Sequence, residues 1–219
     1  MNPDPICTRY DGFYLMPLLF SPQMVRANID GLKLCTRRHR SSPIYQKAKE
    51  ALEAGTQVLA WVREEWCASY SDPTNGHHAP RDYYDTPRKE RLRDYRSGYW
   101  YRADEELKPV SKRYVPPRRW VPPMHMPFDQ HRMFMRVRSI KLSRLGDMSE
   151  EDAIEEGMGA LIGRLETGFN PSALDVFRTL WVAMHGTWSP DETVWRIRYD
   201  RPMQGPVTEY ISIEQEIAA

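Results

Sequence analysis

The chain has 219 residues, of which 41% are hydrophobic and 28% charged, and its formal net charge is +1. These values exclude a disordered or fibrous chain and allow one domain with an elaboration. A net charge this small gives no bulk indication of binding to nucleic acid or membrane.

The charges are unevenly distributed along the chain. From Leu145 onward there are 14 acidic and 5 basic residues, so the preceding part is basic. Two tracts concentrate this excess, residues 33–40 and residues 108–119. They predict either a basic cleft or solvated charged loops, and the sequence leaves both readings open.

The three cysteines fit neither a disulfide framework nor a metal site: Cys7, Cys35 and Cys67. With no signal-peptide pattern and no long apolar run, they indicate a reduced, cytoplasmic setting. The one group that resembles metal ligands lacks the spacing of a known site: His77, His78, Asp82 and Asp85. We therefore predict no metal and no cofactor.

The N-terminal part predicts a loose arm, a strand and a short helix that leads into a basic turn. Residues 1–12 are the arm, and Tyr14 to Phe20 is an apolar run of strand length. The helix begins after Ser21 and ends at Gly31, with Met24, Val25 and Ile29 on its buried side. Lys33 and Thr36 then lie in the turn, and Arg37 to Pro43 in a basic loop.

The next segment predicts a helix over Ile44 to Ala54 and a strand over Val58 to Trp66 with apolar residues on both faces. Residues 67–118 are rich in Tyr, Arg, Asp and Pro and poor in aliphatic residues, which indicates an insertion. Its one strand-like piece is Gly98 to Ala103.

The C-terminal half predicts four further elements and a peripheral tail over 201–219. They are a strand, a capped helix, an amphipathic helix and a last strand: Met133 to Ile140, Asp147 to Met158, Ser172 to His185, and Thr193 to Tyr199. Glu156 lies in the last turn of its helix, where a negative charge is disfavoured. The whole pattern predicts an α+β domain over residues 1–219, a small mixed β-barrel with flanking helices.

Several motifs resemble the ASCH domain, a branch of the PUA-like superfamily, in the long form common in phage and prophage genomes. They are IDGLKLCTRR (29–38), GTQVLAWVRE (55–64), WVPPMHMP (120–127), LGDMSEEDAIEEGM (145–158), FRTLWVAMHG (177–186) and VWRIRY (194–199). Small members of the family include amidohydrolases that remove acyl groups from N4 of acylated cytidine. The resemblance implies that Lys33, Thr36 and Glu156 are catalytic and that Arg38 matches a family arginine. Leu32, Leu34 and Cys35 depart from the family pattern.

The chemistry of these residue types agrees with that implication. A threonine hydroxyl or a water needs a base, and a lysine serves as one when burial or a nearby cation lowers its pKa. Glu156 would act on the leaving amine or read the base edge. The further substrate-binding or nucleic-acid-binding candidates are Arg37, Arg38, Trp61, Arg63 and His125.

Two other functions remain open from the sequence. Lys33 and its neighbouring arginines also suit a phosphate-contacting turn, and the aromatic and arginine-rich insertion suits the stacking of unpaired bases. The chain would then be a non-catalytic module that binds RNA or single-stranded nucleic acid. The third reading is a phage assembly accessory protein. The expected partner is thus a nucleoside or a nucleic acid and not a membrane.

Overall fold

The computed structural model describes residues 8–10, 12–71, 78–80, 98–107, 120–163 and 171–218. These residues form an α+β structure, as predicted. None of the described helices is long and apolar enough to cross a membrane. The chain divides into two compact units: Met1–Leu18, Arg26–Val62 and His131–Ala219 form the first, and Leu19–Val25 and Arg63–Gln130 form the second. The single domain and the 67–118 insertion stay predictions, since most of that segment lies outside the described residues.

The described strands number ten: β1 Thr8–Tyr10, β2 Phe13–Leu19, β3 Cys35–His39, β4 Gln57–Arg63, β5 Trp66–Ser71, β6 His78–Pro80, β7 Gly98–Tyr101, β8 Met133–Arg144, β9 Thr193–Tyr199 and β10 Met203–Gln204. The α-helices are α1 Pro22–Ile29, α2 Pro43–Glu53, α3 Glu150–Glu155, α4 Met158–Ile162, α5 Ala173–His185 and α6 Val207–Ala218. The strand predicted over residues 58–66 is interrupted, because β4 ends at Arg63 and β5 begins at Trp66.

The larger sheet runs in the order β1-β2-β4-β8-β9-β3, and β10 pairs with β8. The neighbours β4/β8, β8/β9 and β9/β3 are antiparallel. Over the described residues, these pairings leave the sheet open between β1 and β3. Val58, Leu59, Ala60 and Val62 of β4 are all fully buried, so both faces of this strand are covered, as its unbroken apolar run predicts.

Two of the predicted helix boundaries are confirmed by their caps. The Ser149 side chain accepts a hydrogen bond from the Asp152 backbone N at the start of α3, and Ser172 accepts one from Asp175 N at the start of α5. The helix predicted over 147–158 is shorter than expected. It ends at Glu155, and Gly157, with a φ of 88°, separates α3 from α4.

Helix α1 differs from its predicted amphipathic pattern. Val25 is fully buried, but Ile29 is 40% exposed and the polar Asn28 is fully buried. The predicted left-handed turn at Gly31 is confirmed, with a φ of 71°. The side of α1 that faces the core thus carries an amide where a hydrophobic stripe was predicted.

Two segments take part in the fold more than the sequence indicated. The predicted turn and basic loop contain strand β3, which pairs with β9 from Cys35↔Arg198 to His39↔Val194. The tail predicted to be peripheral contributes β10 and α6, in which Val207 and Ile211 are buried. The predicted arm contains β1, which pairs with β2.

The second unit contains a three-stranded antiparallel sheet in the order β6-β5-β7. Trp66 and Val121 exchange backbone hydrogen bonds of 3.2 and 2.8 Å, and with Met126 they form a small apolar cluster. The predicted strand over 98–103 is confirmed as β7, which is followed by a 3₁₀ turn over Arg102–Leu107.

Candidate functional site

Lys33 is held by the backbone that follows α1. After the left-handed turn at Gly31, the backbone N atoms of Leu32 and Lys33 both donate to the Ala27 carbonyl, at 2.8 and 3.0 Å. This turn directs Lys33 into the first unit, where the residue is only 2% exposed. A cation with so little exposure needs a charged or strongly polar partner.

That partner is Glu156, 123 residues further along the chain. Lys33 Nζ donates to Glu156 Oε2 at 2.9 Å and to the Glu156 backbone carbonyl at 2.7 Å. Both side chains are 3% exposed. The pairing accounts for a negative charge at the C-terminal end of α3, because the cation offsets the unfavourable helix dipole there.

Arg37 shares the same carboxylate. Its Nη1 donates to Glu156 Oε1 at 3.1 Å, and its Nη2 donates to Asp152 Oδ2 at 2.9 Å. Asp152 also accepts a hydrogen bond from Arg196, and Glu155 accepts one from Arg198. Strands β3 and β9 therefore present a row of cations to the acidic face of α3.

We call these seven groups the charge cluster: Lys33, Arg37, Arg196, Arg198, Asp152, Glu155 and Glu156. Four cations face three carboxylates, so the formal charge of the cluster is +1 when all of its groups are ionised. The helix dipole by itself already favours acidic residues in the first turn of α3. The structure shows that Asp152 also binds two arginines.

Burial perturbs the titratable groups beside Glu156. Desolvation lowers the pKa of Lys33 below its ordinary value, the attraction of Glu156 opposes this effect, and Arg38 adds to it. Desolvation raises the pKa of the Cys35 thiol to about 11, and the negative charge of Glu156 also contributes. Desolvation, with a smaller contribution from Glu156, raises the pKa of Tyr199 well above its ordinary value. Cys35 and Tyr199 therefore stay protonated at neutral pH.

The predicted catalytic trio is brought together only in part. Thr36 is 2% exposed and lies opposite Ile197, whereas Arg37 lies opposite Arg196, so the two neighbours point to opposite faces of the sheet. Among the described residues, no hydrogen bond joins Thr36 to Lys33 or Glu156. Arg38, on the same face as Thr36, is close enough to influence the titration of Lys33 and Tyr199.

The remaining predicted binding residues lie in different surroundings. Trp61 is 2% exposed in the core of the first unit, with its ring 5.8 Å from that of His131. Arg63 belongs to the second unit, where it donates to the Met124 carbonyl. His125 is exposed in a 3₁₀ turn of that unit. Substrate contact by these residues stays a prediction.

Two sequence hypotheses fall on residues without a described side chain. The basic tract over 108–119 lies outside the described residues, as do His77, Asp82 and Asp85. His78 is described only through its backbone in β6. Within the described part of the chain, no three His, Cys, Asp or Glu side chains are grouped as metal ligands would be.

Two polar residues beside the charge cluster were not predicted from the sequence. The Tyr199 hydroxyl donates to Asn28 Oδ1 at 3.0 Å and lies 3.3 Å from the Cys35 carbonyl. The sequence offered one signal for each residue. Asn28 is polar at a helix position whose neighbours predict burial, and Tyr199 is an aromatic residue at the end of a buried strand.

The arrangement supplies the elements of acid–base chemistry in a dry environment. A lysine with a lowered pKa lies against a carboxylate, and Arg37 holds that carboxylate in place from its other side.

No family model matches the chain, and no match was found among curated proteins or solved structures.

Proposed function

We propose that the chain is an ASCH protein of the PUA-like superfamily and that Lys33 and Glu156 form one wall of a nucleobase pocket. The observation that carries the proposal is the buried ion pair between them, with Lys33 Nζ 2.9 Å from Glu156 Oε2. The family resemblance implies that both residues belong to one site, although their motifs lie far apart in the chain.

The proposed reaction is hydrolysis of the amide of an N4-acylated cytidine. Lys33 is charged in its ion pair with Glu156, and burial lowers its pKa, so that loss of a proton to solvent gives the neutral amine. The neutral amine takes a proton from a water molecule whose oxygen attacks the acyl carbonyl. The C–N bond then breaks, Lys33 returns the proton to the leaving amine, and the products are cytidine and a carboxylic acid. A water is the preferred nucleophile because the hydrogen bonds of the described residues include none between the Thr36 hydroxyl and Lys33.

Glu156 has the role of reading the substrate in this scheme. Its carboxylate already accepts charge-assisted hydrogen bonds from Lys33 and Arg37, which fix its position. A carboxylate held in this way suits an amino or amide N–H at the edge of the base.

The test is turnover of N4-acetylcytidine, followed by chromatography of the released cytidine. Lys33→Met should lower kcat by at least about 100-fold, because the general base is lost. The matched control is Lys49→Met, which removes a half-buried lysine paired with Glu53 on α2 and should leave turnover unchanged. Thr36→Val should retain measurable turnover if water is the nucleophile.

Two results would contradict the proposal. Equal turnover by the wild type and Lys33→Met would show that Lys33 is not the base. Absence of both turnover and nucleoside binding would contradict the proposed nucleobase pocket. Retention of RNA oligomers that weakens steeply with salt would then favour the nucleic-acid-binding module.

A further inference from the structure

Asn28 has a buried amide that is only half used. The residue lies in the last turn of α1 and is fully buried. Its Oδ1 accepts the hydroxyl hydrogen of Tyr199 at 3.0 Å. Its Nδ2 has no hydrogen-bond partner among the residues that the structure describes. A buried donor without a partner is destabilising, so its retention calls for an explanation.

The position of this amide relates it to the charge cluster. Ala27, the preceding residue, accepts the backbone hydrogen bond of Lys33, and its Cβ lies 3.3 Å from the Cβ that Gly157 would carry. Tyr199, the partner of Asn28, is close enough to Glu156 for the carboxylate to raise its pKa, an effect secondary to burial. The last turn of α1, Lys33, Glu156 and Tyr199 therefore converge in the first unit.

Tyr199 determines which end of the amide remains available. A neutral tyrosine has one hydroxyl hydrogen, and the structure directs it to Asn28 Oδ1, the nearer of its two acceptors. Burial raises the pKa of Tyr199, so the hydroxyl keeps that hydrogen at neutral pH. The Oδ1 atom of Asn28 is thereby occupied, and its Nδ2 remains able to donate to a ligand.

We propose that Asn28 is a specificity-determining residue whose Nδ2 donates to the C2 carbonyl oxygen of a pyrimidine base. This inference rests on the proposed nucleobase pocket and extends it along the same hydrogen-bonding edge of the base, from the N4 amino group past N3 to the C2 oxygen. With the acylated amino group at Lys33 and Glu156, N3 and the C2 oxygen are the acceptors of the base that remain, and we assign to Asn28 the C2 oxygen, which is the farther of the two from the amino group. A site that leaves a buried donor unpaired discriminates against a ligand without the matching acceptor.

The test compares cytidine with 2-thiocytidine by calorimetric titration, because sulfur is a much weaker acceptor than oxygen. We expect the wild type to bind cytidine roughly tenfold more tightly, the effect of one unpaired buried donor. Asn28→Leu should bind both nucleosides with equal, weakened affinity. Gln46→Leu, which removes an exposed amide of α2, is the matched control and should keep the preference.

The outcomes distinguish failure of the proposed role of Asn28 from failure of the proposed nucleobase pocket. Binding of both nucleosides by the wild type without preference, or a preference that survives in Asn28→Leu, overturns the role of Asn28 and leaves the pocket in place. Failure of the wild type to bind either nucleoside overturns both. If Asn28→Leu does not fold, Asn28→Asp replaces it, since the aspartate keeps an acceptor for Tyr199 and removes the N–H donor.

Discussion

Replacement of Glu156 by glutamine should be the most damaging single change in the charge cluster, and its effect should depend on pH. Glu156 is the carboxylate between two buried cations, Lys33 and Arg37. Arg37 keeps Asp152 as a partner in the variant, at 2.9 Å. Lys33 keeps the backbone carbonyl of residue 156, at 2.7 Å, but loses the carboxylate oxygen at 2.9 Å that offsets its charge.

The size of the loss follows from the titration of Lys33. Removal of one partner of a buried pair costs about 3–5 kcal/mol. Loss of the Lys33 proton removes the buried charge, so the free energy of keeping the lysine neutral sets an upper limit on the destabilisation. For a lysine with the ordinary pKa of 10.5, the free energy of deprotonation is about 5 kcal/mol at pH 7 and about 2 kcal/mol at pH 9. The destabilisation by Glu156→Gln should therefore shrink by up to about 3 kcal/mol between these pH values.

The assay is urea unfolding of the wild type and the variants at pH 7 and pH 9. Lys33→Met leaves the Arg37–Glu156 pair intact, so it should cost less than Glu156→Gln. In the Lys33→Met background, Glu156→Gln should cost only about 1 kcal/mol, because the buried cation that Glu156 offsets is absent. Glu53→Gln, at an exposed pair with Lys49, should change stability by less than about 0.5 kcal/mol at either pH.

Two results would refute this reasoning. A destabilisation by Glu156→Gln that is the same at both pH values would show that the charge of Lys33 is not what Glu156 offsets. A larger loss in Lys33→Met than in Glu156→Gln would show that packing of the lysine stem, rather than charge compensation, governs the site.

Two further predictions concern the surroundings of the same pair. Burial raises the pKa of Cys35 from 9.0 to about 11, so the folded state binds more protons than the unfolded state between these values. Its stabilisation is complete below pH 9 and is lost as pH rises through 11. Compared with Cys35→Ala, the wild type should lose about 3 kcal/mol of stability over this range in urea unfolding under reducing conditions, and parallel pH profiles would contradict the assignment. Gly157→Ala should destabilise by about 2–3 kcal/mol, because an L-residue is strained at φ 88° and its Cβ would lie 3.1 Å from Lys33 Cβ. Gly55→Ala, with φ 80° and no neighbour within 4 Å, should show only the backbone strain of about 1–2 kcal/mol in the same assay, and equal losses would exclude crowding.

Local patterns in the sequence predicted most of the secondary structure. Capping serines and left-handed glycines set the ends of α1, α3 and α5, and apolar periodicity identified β2, β4, β8 and β9. These signals are reliable because each depends on a few neighbouring residues. Strand β3 was missed because CTRRH has little strand character by itself, and its ladder depends on β9, more than 150 residues away.

The site shows the same division between local and long-range information. The sequence identified Lys33 by its motif and Glu156 by its unfavourable position at a helix end. It could not show that Arg37 shares the carboxylate of Glu156. That contact depends on which way Arg37 points, and its direction, opposite to that of Thr36, follows only from the pairing of β3 with β9. The role of Asp152 was likewise concealed, since an acid in the first turn of a helix already has a local explanation.

The sequence by itself determined the helices, the glycine turns and the two motifs that carry Lys33 and Glu156, because these depend on neighbouring residues. Only the tertiary structure decided that the two motifs meet, that Thr36 lies on the other face from Arg37, and that the buried N–H of Asn28 has no partner within the described part of the chain. The physical reason is burial. Desolvation makes the unpaired charge or donor costly, and which groups are desolvated together depends on the packing of distant segments.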